Sequence, residues 1–395
     1  MVSRKLGYEF FKMTHFAAVI IFVVTFFWHC NATLTSWYAS LAAFSHHMAD
    51  NRRDYFVATA AVYVPCYVYS WLRTCFEHGI TQRAYITIES NGFTRIAIPT
   101  NGEWTPGQHC FLRFTSFGIF QAFSTHPFTI CSSPAIDPNE PSEMVFYLRH
   151  QTGFTAKLYE YAHKESGVSV PVLVDGPYGG ASLQSYRDSD HLLVVAGGSG
   201  AGWCLPFIER YLRTGLLSSN DDSKEIPAEE SPVSRRSGPV SLRVVLATRD
   251  VSSRTWFLQT VEQLLEKYPT SSSSSIRVEV HLTGHAVEEI GSKPPLRHAS
   301  TEPSISSADR IEVQAKGHDG SVPGKEFEGR PQLSALIRDE AAKSAAGGES
   351  LGVFVCGPET MLNEVRNTVA AENLKILSGE RKGGIYLHSE HFSWA

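Results

Sequence analysis

Two long apolar runs stand near the start of the chain, FFKMTHFAAVIIFVVTFFWHC (10–30) and YFVATAAVYVPCYVYSWL (55–72). Each approaches the roughly 20 residues with which a helix crosses the hydrocarbon of a bilayer, so two spans are expected, at about 10–30 and 55–75. Pro65 would break a soluble helix but is tolerated in a buried membrane helix. A signal peptide with Arg4 and Lys5 as its charged start is a rival reading of the first run. Beyond residue 82 the period falls to two. QRAYITIES, FTRIAIPT and WTPGQHCFLRF alternate apolar and polar positions and are punctuated by Asn-Gly and Pro-Gly, the pattern of a small antiparallel β-barrel. From 191 the pattern changes again, because HLLVVAGGSGAGWCLPFIERYL reads as strand, glycine turn and helix. Strand-like LRVVLATRD (242–250), SIRVEVHLTG (275–284) and LGVFVCGPETM (351–361) follow at β/α spacing, which predicts a doubly wound α/β domain.

Two tracts interrupt this order. Residues 217–240 and 284–330 are rich in Ser, Pro, Glu and Lys and cannot bury enough apolar surface to fold, so both read as solvated insertions within the α/β domain. The expected division is a membrane region over 1–78, a barrel over 79–182 and the α/β domain over 183–395. A net charge of -5 over 395 residues gives no support to nucleic-acid binding, which usually shows a basic domain or stripe. Seven cysteines without paired spacing suggest neither a disulfide framework nor a zinc site, which places the catalytic body in a reducing compartment.

Histidine spacing adds chemistry to the first run. His15 and His29 lie 14 residues apart, which at about 100° per residue returns the second to within about 40° of the first and separates them by about 21 Å along a helix axis. Neutral imidazoles on one face at two depths suit the axial ligation of two stacked haems, although a lone His at a span end is more often interfacial. Arg4 and Lys5 before the first run, Lys12 at its start, and Arg73 and Arg83 after the second, against Arg52 and Arg53 between them, put both ends in the cytosol and the 31–54 loop outside.

Nucleotide chemistry resides in the turns. Gly153 and Thr155 open an amphipathic helix and offer free amides and a hydroxyl to a phosphate. Gly197, Gly198, Gly200 and Gly202 let the backbone approach a pyrophosphate at a helix start. Arg249 and Arg254 follow the strand where a 2′-phosphate would be read, which favours NADPH over NADH.

Taken in order, HPFT (126–129), GFT (153–155), GPYGG (176–180), AGGSGAG (196–202), CGPETM (356–361) and the aromatic end HFSWA (391–395) resemble the ferredoxin–NADP reductase superfamily. With the apolar runs and His15/His29 in front, the resemblance narrows to the ferric-chelate reductase/NADPH oxidase family, most like fungal ferric reductases. It implies that His126, Pro127, Phe128 and Thr129 hold FAD, with Phe128 and Thr129 at the flavin and His126 near the pyrophosphate, where many relatives have Arg. It implies that Gly153, Thr155, Gly176 and Pro177 complete the FAD site, and that Gly198 and Gly200 hold the NADPH pyrophosphate. Cys356, Gly357 and Pro358 would then flank the nicotinamide, and Phe392 or Trp394 would cover the flavin.

The implied activity is ferric-chelate reduction in support of iron uptake, at the plasma membrane with the flavin and NADPH domains cytosolic. Ferric chelates are the acceptors and membrane lipid the surroundings. His46 and His47 fall in the loop between the runs and cannot supply an inner haem ligand. The chain therefore resembles a ferric reductase lacking its earlier spans, with haem b held only if helices from elsewhere, such as a full-length homologue, supply the second ligands. An NADPH oxidase that reduces O2 and a non-catalytic membrane subunit are the alternative readings.

Overall fold

The computed structural model describes residues 46–118, 121–122, 124–136, 140–151, 153–165, 167–221, 238–268, 275–284 and 324–391, together with positions 14, 17–18 and 20–21. Most of the first apolar run, including His15 and His29, most of both polar insertions, and Phe392 and Trp394 lie outside the described residues. The chain forms two compact units, one of residues 1–88, 111–126 and 149–176, the other of 89–110, 127–148 and 177–395.

Helix α1 (His46–His78) covers the second apolar run and carries Pro65 within it. It begins earlier than the apolar pattern suggests. His46 and His47, expected in a loop, form its first turn, because helix propagation needs only φ/ψ and hydrogen bonds and not an apolar face. Val62, Tyr63, Tyr67, Val68 and Trp71 are exposed on it. Among the described residues no helix is long and apolar enough to cross a membrane.

Strands β1 (Arg83–Ile88), β2 (Thr94–Thr100), β3 (Gln108–Phe114), β4 (His126–Thr129), β5 (Ser142–Leu148) and β6 (Val168–Gly179) form one sheet in the order β4-β3-β6-β1-β2-β5. The β1–β6 and β2–β5 ladders are antiparallel. Local chemistry fixes its turns. At Asn91-Gly92, Gly92 takes φ +78°, the Phe93 amide donates to Asn91 Oδ1 and the Glu89 amide donates to Phe93 O at 2.8 Å. At Thr105-Pro106-Gly107-Gln108 the proline presets φ, Gly107 takes φ +82° and the Gln108 amide returns to Thr105 O, as a type II turn requires. Just past β4, the amide of Cys131 donates to Val145 O of β5 at 2.7 Å, joining the two edges of the sheet in the manner of a barrel. Helix α2 (Phe154–Lys164) follows β5. The last turns of α1 are tied to β6: Arg73 Nη2 donates to Asp175 Oδ1 at 3.1 Å, and His78 Nε2 lies 2.6 Å from Gly176 O.

After the short helix α3 (Leu183–Asp188), strands β7 (His191–Gly197), β8 (Ser241–Thr248), β9 (Ser275–Leu282), β10 (Gly324–Glu328), β11 (Leu351–Gly357) and β12 (Ile385–His391) form a parallel sheet in the order β10-β9-β8-β7-β11-β12. Two of these strands escape the apolar pattern. GKEFE of β10 lies inside the tract expected to be an insertion, and it forms only because the edge of β9 supplies its hydrogen bonds. IYLHSEH of β12 is half-buried along its length. Both faces of the sheet are covered, as parallel strands require. Val194, Leu246 and Val280 face helices α4 (Ala201–Asp221) and α5 (Val251–Lys267) through Phe207, Trp256 and Phe257. Val195, Val245 and Val353 face α6 (Leu333–Gly347) and α7 (Glu359–Leu377) through Ile337, Leu362 and Val365.

One buried charge holds the approach to β12. Glu372 of α7 is 0% exposed; its Oε1 accepts from Lys375 Nζ at 2.8 Å and its Oε2 pairs with Arg381 in the loop leading to β12. Removing one partner of a buried pair leaves an uncompensated charge. Both cations are partly solvated, so Glu372→Ala is expected to cost about 2 kcal/mol, below the full value for a dry pair. Urea unfolding measures this, and a loss under about 0.5 kcal/mol, the level of an ordinary surface change, would show that the pair does not hold the loop.

Candidate active site

Strand order reverses between β7 and β11, where neighbouring parallel strands send their chains to opposite faces of the sheet. The crevice at the carboxyl ends of such strands is where α/β sheets bind ligands. The glycines that flank it have distinct tasks. Gly197 ends β7, and a Cβ there would lie 3.0 Å from Pro358 Cδ and 3.1 Å from Met361 Cε. Gly357 ends β11, and a Cβ there would lie 2.6 Å from Met361 Sδ. The two glycines thus form a notch that the Met361 thioether occupies. Gly198 takes φ +57° with nothing within 4 Å of an added Cβ, so backbone conformation accounts for glycine there and the space above it is open. Gly200 is buried in the single 3₁₀ turn that starts α4. Gly202 belongs elsewhere: a Cβ would lie 2.9 Å from Cys131 Sγ and 3.0 Å from Tyr147 Cδ2, and packing alone accounts for it. Pro358 caps α7 with φ -65°.

Beside the notch lies a weakly polar wall. Cys356, the penultimate residue of β11, is 5% exposed. Burial raises its thiol well above the usual range, with the Glu390 carboxylate and the thiols of Cys204 and Cys131 adding to the rise. Burial likewise pushes Cys131 up to about 12, opposed by a backbone hydrogen bond at Tyr147, and raises Cys204. The Tyr147 phenol is pushed up to about 12 by burial, then by Cys131 and Glu89, against the pull of Arg95. At neutral pH all four groups are protonated. Cys356 is therefore a neutral surface, not a nucleophilic thiolate.

Glu390 is the residue that the sequence pattern did not bring forward. It lies opposite Cys356 in the β11–β12 register. Its Oε2 accepts from Trp203 Nε1 at 3.1 Å, and its Oε1 pairs with His388 Nε2 at 2.9 Å. A Cβ at Gly107 would lie 2.7 Å from Glu390 Oε1, so the glycine of the type II turn also makes room for this carboxylate. The signal was an acidic residue at the end of a strand-like run, legible only once the parallel register is known.

Residues expected at the flavin divide between the two units. His126 is buried and stacks on Phe154 at 4.3 Å between ring centroids, which brings the start of HPFT to the start of α2. Gly153 caps that helix at φ +69°, and Thr155 is buried in its first turn, accepting from the Gln151 amide at 3.3 Å. Gly176 takes φ +138° within β6, which runs on through Pro177 to Gly179; the turn itself is made by Gly179 and Gly180. In β4, His126 and Phe128 are buried while Pro127 and Thr129 are half-exposed, so Phe128 and Thr129 face opposite sides of the strand. Arg113 stands half-buried on β3 with its Nε buried and without a hydrogen-bond partner. An unsatisfied guanidinium N–H and a glycine-capped helix start fit a phosphate-bearing cofactor such as FAD. Arg249 is exposed beyond β8, and Arg254 pairs with Glu326.

An antiparallel sheet followed by a parallel α/β sheet with a crevice at its switch point is an architecture suited to nucleotide binding. Residues 85–182 match the FAD-binding domain model and residues 189–370 the ferric reductase NAD binding domain model; through these two domains the chain belongs to the ferric reductase family. A ferric/cupric reductase transmembrane component of Saccharomyces cerevisiae is 25% identical over 413 residues, covering 100% of this chain and 58% of the relative. A probable cell surface ferric reductase of Aspergillus oryzae is 25% identical over 480 residues, covering 99% and 60%. The chain thus spans less than two thirds of the length of these relatives. A solved ferredoxin–NADP+ reductase from Plasmodium falciparum aligns with TM-score 0.42 at 9% identity, covering 78% of this chain and 95% of that one.

The thiols give a test with a definite sign. Folding raises the Cys131 pKa, so the stability contributed by the protonated thiol is complete below the unfolded value of about 8.5 and is lost as pH rises toward about 12. Denaturation measured from pH 8 to pH 11 is expected to show falling stability, with a shallower fall in Cys131→Ser. In native protein at pH 8, Cys131, Cys204 and Cys356 should resist alkylation while exposed Cys66 reacts. Rapid labelling of Cys356 would show a thiolate and refute the neutral wall.

Proposed function

We propose that the protein passes electrons from NADPH through FAD toward ferric iron, the observation that carries this being the open backbone turn at Gly198 beside protonated Cys356 at the switch point. Amides of the Gly198–Gly200 turn, at the start of α4, would hold the dinucleotide pyrophosphate. Gly357 and Pro358 would stand beside the nicotinamide ring, with the uncharged Cys356 thiol as its wall. A neutral wall would help keep water from the ring. Gly153 and Thr155 would bind and orient the flavin nucleotide. Bound FAD would supply what side chains cannot, the conversion of a two-electron hydride donor into one-electron steps.

Ferric iron is favoured as acceptor by the fungal relatives, whose names record ferric and cupric reduction. Membrane association is proposed on the same ground, together with the exposed apolar side chains of α1. His15 and His29, which lie outside the described residues, would hold haem if helices from elsewhere, such as a full-length homologue, supplied further imidazoles. Iron uptake at the plasma membrane is the role these parts would serve.

The full chain, purified in detergent, is expected to carry a yellow flavin chromophore and to reduce ferricyanide with NADPH. A colourless protein that oxidises no nicotinamide even with added FAD would end this reading. Gly200→Val should raise the KM for NADPH about tenfold by crowding the pyrophosphate turn, with bound flavin unchanged. Equal loss of flavin in that variant would mean that the two nucleotides are assigned to the wrong sheets.

A further inference from the structure

Arg254 stands in the first turn of α5, just beyond the carboxyl end of β8, where a nucleotide's adenosine ribose would reach. It is not idle there. Its Nη1 lies 3.2 Å from Glu326 Oε2, while its Nε is buried without a hydrogen-bond partner. Glu326 belongs to β10, the edge strand that emerges from the second polar tract. Register places it opposite Val280 of β9, which packs in the core cluster that also contains Trp256 and Phe257 of α5. The Glu326 carboxylate is therefore directed to the α5 face and meets Arg254 through the fold, not by chance on a free surface. Both side chains keep some solvent contact, 22% and 28%, so the pair can open without unfolding anything. Arg249, the other basic residue past β8, is exposed, and Asp250 adjoins it at the start of α5.

We propose that Glu326 competes with the 2′-phosphate of NADPH for Arg254 and so sets how strongly the protein prefers NADPH to NADH. This rests on the nicotinamide-binding reading of the α/β part given above. A phosphate monoester carries more charge than a carboxylate near neutral pH and offers oxygens that match the guanidinium fork, so it can displace Glu326. Displacement breaks the Arg254–Glu326 pair, a cost that only the phosphorylated nucleotide meets. NADH lacks the 2′-phosphate and leaves the Arg254–Glu326 pair intact. The edge strand thus weakens NADPH binding selectively. A guanidinium Nε without a partner is consistent with an arginine that completes its hydrogen bonds only when an anion arrives.

The test uses the full-length protein and two probes, 2′,5′-ADP and 5′-AMP, titrated by calorimetry, with KM for NADPH and NADH measured alongside. Glu326→Gln is expected to tighten 2′,5′-ADP about two- to fivefold, the range for a partly exposed ion pair, and to leave 5′-AMP unchanged. Arg254→Gln should weaken 2′,5′-ADP about tenfold, and adding Glu326→Gln to it should bring no further change. The proposal is overturned if Glu326→Gln alters neither probe, alters both equally, or still tightens 2′,5′-ADP when Arg254 is absent. In those cases the nicotinamide reading stands, because the wild-type protein binds the probes. If wild-type protein binds neither probe and oxidises neither nucleotide, both this inference and the function it rests on fall.

Discussion

Parallel strands β7 and β11 are hydrogen-bonded neighbours, yet the chain leaves them toward opposite faces of the sheet, and the gap between those departures governs the α/β part. Helices α4 and α7 diverge from it, so apart from the Met361 side chain, in the first turn of α7, backbone lines it. That constraint places glycine at the end of both strands, because a Cβ on either would strike Met361 or Pro358. It also explains why the functional groups come from strand ends and first turns. Cys356 precedes the gap on one strand, and the Gly198–Gly200 turn follows it on the other.

Register then supplies what adjacency in sequence cannot. Pairing β12 parallel to β11 brings Glu390 opposite Cys356, although 33 residues and a whole helix separate them. The carboxylate, two nitrogen donors and a buried thiol meet in a place that no local motif predicts. Glu372, Lys375 and Arg381 tie down the loop before β12, so the charge inside one helix fixes the position of a carboxylate on the next strand.

Much of this architecture is legible in the sequence, for reasons that differ from element to element. Asn91-Gly92 and Pro106-Gly107 announce their turns because positive φ at the second residue demands glycine. The AGGSGAG run announces the nucleotide turn because a close backbone approach excludes side chains. Strand β10 was hidden, since GKEFE lacks an apolar alternation and owes its form to the edge it joins. Gly202 shows the opposite failure. It was read with its neighbours as a phosphate glycine, but the contacts that account for it come from Cys131 and Tyr147, distant in sequence. Composition cannot tell a glycine that admits a ligand from one that admits another part of the chain.

The bonds from Arg73 to Asp175 and from His78 to Gly176 act as a fulcrum. Helix α1 has 33 residues, so it is about 50 Å long. A rotation of about 5° about its tied end would carry the far end about 4 Å, while the backbone at Gly176 scarcely shifts. Any tilt of the long arm would therefore load its tied last turns first. A nucleotide seated beside that strand would keep its place while the helix sways.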